Sequence, residues 1–129
     1  MKIVIDTNVL LSALLTPNRK ASLILDKVID GNIEIYYNEK IIGEYKEVLS
    51  RKKFGIPKAK IKELISFIRM KGIFVFEYNE SKTEFIDKMD KIFYDIALSK
   101  DSIVVTGNLK HFPKHKKVMS VDEFYKKII

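Results

Sequence analysis

Lys2-Ile3-Val4-Ile5-Asp6 decides the fold: a β-branched run breaks off abruptly at an acid. Such residues pack well on a pleated surface. An uninterrupted apolar run of this length reads as a strand buried on both faces. Similar runs return at Ile33-Glu34-Ile35-Tyr36-Tyr37, Ile73-Phe74-Val75-Phe76 and Ser102-Ile103-Val104-Val105-Thr106, with a shorter one at Lys117-Val118-Met119. Helical periods fill the intervals. Val9 to Leu15 is closed by Thr16-Pro17-Asn18, and Ala21 to Ile29 stops before Gly31. Asn38 caps a helix to about Arg51, and Phe54-Gly55-Ile56-Pro57 breaks it. Lys58 to Lys71 runs up to Gly72, and a polar stretch leads through Glu84. Asp87 to Ser99, apolar on most sides, predicts a largely buried helix, and Val121 to Ile129 a last one. Strands separated by helices imply a three-layer α/β/α sandwich with a mostly parallel sheet of four to five strands. No repeat, low-complexity segment or long linker interrupts residues 1–129, which read as one domain. In such sheets, sites form at the carboxyl ends of the strands.

Composition narrows the function classes. No apolar run approaches the roughly 20 residues that span a bilayer. Asp6 interrupts the first apolar stretch, which a secretory signal would not tolerate. The chain has no cysteine, so disulfides and thiolate metal sites are excluded and a cytoplasmic home is expected. The net charge of +7, from 24 Lys and Arg against 17 Asp and Glu, permits a polyanionic partner. Lysine-decorated solvent faces explain the same charge.

The informative residues are carboxylates where a bland surface would not put them. Asp6 follows a strand directly; it is either the N-cap of the next helix or, if Thr7 and Asn8 do the capping, free for chemistry. Glu44 lies at the edge of a core stripe formed by Ile41, Tyr45, Val48 and Leu49, whereas Glu47 points to solvent. A carboxylate beside a core face needs a metal or a lysine, unless it is simply half-exposed. Asp90 shares a face with Phe93, Tyr94 and Ala97, and Asp87 is placed to cap their helix. Asp95 falls about 140° around that helix from Asp90, so it borders the same cleft laterally or pairs with a lysine. Thr106-Gly107-Asn108 ends a strand with groups suited to phosphate or metal-water contacts, or to a plain turn. His111 and His115 lie in Lys110-His111-Phe112-Pro113-Lys114-His115-Lys116-Lys117, which reads as a solvated basic loop meeting phosphate rather than as a metal site. The Phe and Tyr residues follow core periodicity and are not assigned to base stacking.

Hard carboxylates without thiolates suit Mg²⁺ or Mn²⁺. Such ions clamp a phosphodiester and activate water for its hydrolysis. Two other phosphoryl chemistries fit less well. A haloacid-dehalogenase-type phosphatase needs a second aspartate where Asn8 stands, and a receiver domain needs an acidic pair where Val4 and Ile5 stand.

Four segments, Ile5-Asp6-Thr7-Asn8-Val9-Leu10, Glu44-Tyr45-Lys46-Glu47-Val48-Leu49, Asp87 to Ala97 and Val105-Thr106-Gly107-Asn108, together resemble PIN-domain motifs in the family's order. The resemblance spans essentially the whole chain and is closest to VapC-type toxins of toxin–antitoxin pairs. It implies a three-layer fold, acids binding Mg²⁺ or Mn²⁺, endonucleolytic cleavage of RNA, an antitoxin protein as partner and, in many members, a homodimer. Asp6, Glu44 and Asp90 match the first three acids, Thr7 and Asn8 the supporting residues after the first, and Thr106 the threonine before the fourth position. Asn108 departs from the aspartate many members carry there, and Asp95 is the candidate to replace that charge. The departure leaves a second reading open, a catalytically silent fold that binds RNA or protein.

Overall fold

The computed structural model describes residues 1–129. It contains five strands, β1 (Lys2–Ile5), β2 (Glu34–Tyr37), β3 (Ile73–Phe74), β4 (Ile103–Thr106) and β5 (Val118–Ser120). Six helices connect and flank them: α1 (Thr7–Leu15), α2 (Lys20–Ile29), α3 (Glu39–Leu49), α4 (Lys58–Lys71), α5 (Lys88–Ser99) and α6 (Val121–Ile128). The strands form one sheet in the order β3-β2-β1-β4-β5, every neighbouring pair parallel. Helices cover both faces, giving the expected three layers.

The central strands explain why their sequences read so clearly. Ile3, Val4 and Ile5 of β1 and all four residues of β4 are buried, so neither strand needs a polar face. α5 packs against both, and α3 packs on α5. Phe93 of α5 stacks on Tyr45 of α3, and the Tyr45 hydroxyl donates to the Ile5 carbonyl at 2.5 Å. That bond gives a fully buried phenol its partner and holds α3 at the end of β1.

β1 lies between strands reached in opposite directions along the chain: β2 and β3 on one side, β4 and β5 on the other. The crevice at the carboxyl ends of β1 and β4 is therefore the sheet's switch point, where open α/β sheets place their ligands. Asp6 follows β1 there, and Thr106 closes β4.

Some boundaries differ from the sequence reading. β3 stops at Phe74, not Phe76, because it is an edge strand pairing only with Tyr36 and Tyr37; beyond it Val75 keeps a single bond to the Tyr37 carbonyl. α1 begins at Thr7, so Thr7 and Asn8 are helical and cap nothing. Asn38 caps α3 and Asp87 caps α5 as expected, accepting from the amides of Ile41 and Met89. α6 opens on a reciprocal capping box between Ser120 and Glu123 that the sequence reading passed over. No helix is long and apolar enough to cross a membrane.

Candidate active site

Asp6 occupies the N-cap position of α1, yet its side chain makes no capping bond. It turns instead across the switch point, where the Thr106 hydroxyl donates to Oδ2 at 2.7 Å. The Thr106 oxygen also accepts from the Asn108 amide at 3.0 Å, so the hydroxyl both donates and accepts. Asn8, the second residue of α1, accepts from the Gly107 amide at 3.1 Å. A Cβ on Gly107 would meet that same Asn8 oxygen at 3.2 Å, so glycine leaves the approach unhindered. Three side chains thus stitch the end of β4 to the start of α1. Thr7 is buried beside them, and its hydroxyl has no partner.

The carboxylates around this stitch repel one another. Burial pushes the Asp6 carboxyl above its usual range, while Thr106 and the nearby Thr7 and Asn8 amides pull it back. Burial, then the negative charges of Asp6 and Asp87, lifts Asp90 to about 6; His111 opposes that rise. Glu44 is raised by burial and by Asp87, Glu47 and Asp6, with Arg51 opposing. The charge of Asp6 is thus felt at both Glu44 and Asp90, which are widely separated from it in sequence, and Asp87 acts on all three. Glu44 is half-buried, as its place at the edge of the α3 stripe predicts, and no lysine or other side chain pairs with it. Glu47 instead pairs with Arg51 at 2.8 Å in solvent.

Asp95, expected as an additional acid of the cleft, is not part of it. Its Oδ2 pairs with Lys91 at 2.7 Å, and the pair faces Tyr78, whose phenol feels both charges. The turn of about 140° between positions five apart directs Asp95 away from Asp90. Unlike the exposed acid of the alternative reading, it is buried at 2 % exposure, and its Oδ1 has no partner.

His111 is the residue the sequence reading misplaced. It is not merely part of a solvated loop: the 3₁₀ turn Leu109–His111 carries its Nδ1 to 3.4 Å from Asp90 Oδ2. Asn108 Nδ2 lies 3.1 Å from either ring nitrogen. The spacing of three between Asn108 and His111 signals that these two lie side by side, but not that His111 meets Asp90. His115 is turned elsewhere, accepting from the Lys117 amide and meeting the Tyr94 ring edge-on.

Asp87, Asp90, Lys110 and His111 line one wall of a cleft of about 460 Å³, with Phe85 and Phe112 among its apolar residues. Lys110 thus stands at the wall of the cleft, and the charge of Arg51 is felt at Glu44. No three acidic or histidine side chains lie close enough to ligate a single ion. The donor set nevertheless suits a hard dication. Mg²⁺ commonly keeps several waters and takes only one or two carboxylates, and positive charge is what relieves the repulsion between Asp6 and Asp90.

A protein-family model described as the PIN domain matches residues 2–110. No curated protein matches the chain.

Proposed function

The chain belongs to the PIN-domain family, whose members are usually metal-dependent nucleases, and on that basis we propose that it is an endoribonuclease working with Mg²⁺ or Mn²⁺ at the cleft of Asp6, Glu44 and Asp90. The observation supporting this reading is the lift of Asp90 to about 6 by burial and by the charge of Asp6. Two such carboxyls are poor neighbours in a metal-free protein and good neighbours around a dication.

Asp6 and Asp90 would hold the ion at the switch point, and Glu44 would add negative charge from the half-buried rim. Thr106 fixes the Asp6 carboxylate in one orientation, and Asn8 fixes the β4 turn against α1. Thr7 and Asn108 support the site as the polar lining nearest to it. A bound dication supplies Lewis-acid charge at the phosphodiester. Arg51 and Lys110 draw the flanking phosphates to the cleft.

The role that goes with this activity is the toxin of a toxin–antitoxin pair in the cytoplasm, with RNA as substrate, a cognate antitoxin as partner and a second copy of the chain as dimer mate. A silent, RNA- or protein-binding fold is the second reading, favoured by Asn108 and by the lack of three converging ligands. Purified protein incubated with RNA separates the two. Mn²⁺-dependent cleavage that disappears in Asp6→Ala supports the nuclease. Equal residual cleavage in both proteins marks a contaminant and leaves the silent reading.

A further inference from the structure

We propose, building on the nuclease reading, that the cleft beside Asp90 is a base-binding subsite. It takes one unpaired nucleobase of a single-stranded RNA, next to the phosphate at the acidic centre.

Ile86 is the first observation. It is fully exposed, at 106 %. A lone exposed isoleucine is ordinary on a protein surface; this one lines the cleft of about 460 Å³, together with Phe85, Phe112 and Pro113. The apolar lining is held in place without a ligand. The Asp87 side chain accepts from the Met89 amide at 2.7 Å, which fixes the backbone next to Ile86. Phe85 meets Phe112 edge-on at 5.8 Å between ring centroids and Tyr94 at 5.3 Å, so the lining is braced against α5.

The polar part of the lining says which apolar ligand fits. Asp90 borders the same cleft, and so does Lys110. An apolar surface shared with an acidic centre and a lysine matches one repeating unit of a nucleic acid, a flat base carrying an anionic phosphate. The volume falls within the roughly 300–1,000 Å³ of small-ligand sites. Bases drawn out of a stack are commonly held between aromatic or apolar side chains. Ile86 and Pro113 offer aliphatic contact and no base-edge readout, so every base should be accepted through its face. A paired base cannot enter, because an A-form duplex keeps it stacked inside the helix. The subsite therefore selects unpaired RNA over duplex.

Fluorescence anisotropy with a labelled ten-nucleotide single strand, kept intact by chelator, tests this by changing both partners. Ile86→Ser should weaken binding at least fivefold, with Ile86→Leu within about twofold of the wild type. Phe76→Ser, at an exposed residue outside the cleft, should leave affinity unchanged. The slope of log affinity against log salt should be the same in Ile86→Ser, because no phosphate contact is lost. Replacing the bases by abasic sites should cost the wild type at least threefold more than it costs Ile86→Ser. A duplex of the same sequence should bind both proteins alike. Equal losses on abasic replacement in the two proteins overturn the subsite, and Mn²⁺-dependent cleavage that persists then leaves the nuclease reading standing. Coupled losses without cleavage in Mn²⁺ keep the subsite and remove the nuclease. No binding of the single strand at about 0.1 mM protein overturns the subsite whatever the cleavage assay shows. Ile86→Ser that abolishes self-association but leaves RNA affinity unchanged also overturns it, and makes Ile86 a protein contact.

Discussion

Thr106 and Asp6 join the two central strands through one hydrogen bond: the threonine hydroxyl donates to Asp6 Oδ2 at 2.7 Å, across the carboxyl ends of β4 and β1. Both residues are buried, so this bond partly offsets the desolvation of a carboxylate that water cannot reach.

Thr106→Val keeps the shape and removes the donor. Unfolding free energy should drop by about 1–3 kcal/mol, and the Asp6 carboxyl should rise further. RNA cleavage should fall at least tenfold, with Thr106→Ser close to wild type. Urea unfolding and a cleavage assay measure the two effects. Full activity in the valine variant would remove Thr106 from the site's design.

Asp90 makes metal-free stability depend on pH. Its carboxyl titrates near 6 when folded, against an ordinary value of 3.8. Between those values the native state holds more protons than the unfolded chain, so stability falls as pH rises from about 4 to 6 and stays lower above. Asp90→Asn cannot ionise. In chelator-treated protein it should exceed wild-type stability at pH 7 by up to about 3 kcal/mol, with the gain gone at pH 4. Thermal melts of both proteins at the two pH values decide it; no difference at pH 7 would contradict the repulsion described here.

Added Mn²⁺ should act in the opposite sense. An ion competes with the proton on Asp90, so the rise in melting temperature on adding Mn²⁺ should be larger at pH 7.5 than at pH 5. An equal rise at both pH values would mean that the ion binds elsewhere.

Lys91 is expected to matter for folding and not for chemistry. Lys91→Met leaves the buried Asp95 carboxylate without its cation and should lower the melting temperature. Adding Asp95→Asn to that variant should restore part of the loss. Cleavage per folded molecule should stay within about twofold throughout. A large catalytic loss in the stable double variant would return Asp95 to the active site.

Lys110, on the rim of the cleft, should act through phosphate. Lys110→Ala should reduce the slope of log affinity against log salt for single-stranded RNA by about 0.7. Fluorescence anisotropy across a salt series reads this, and an unchanged slope would place the RNA path elsewhere.

The strands of the core were legible because β1 and β4 are buried on both faces and so carry unbroken apolar runs. Gly72 marked the end of α4 for a packing reason: a Cβ there would lie 2.5 Å from the Ile68 carbonyl and 2.9 Å from the Tyr37 ring. The half-burial of Glu44 followed from helix geometry alone. The same geometry correctly warned that Asp95 could not share Asp90's direction, although the charge missing at Asn108 invited it into the cleft. His111 escaped because its position depends on how residues 107–112 fold back over α5, a contact that no local pattern encodes. The unpartnered Thr7 hydroxyl has no physical account in these terms.

The Thr106–Asp6 bond closes a loop of one hundred residues, and this fixes when the centre comes into being. Ribosomes deliver Asp6 one hundred residues before Thr106. Nascent chains that stop before β4 possess every carboxylate of the cleft but no strand to align the first of them. Released fragments ending at residue 101 should therefore be inert towards RNA, so that the proposed hydrolytic competence arrives only with β4 and all at once.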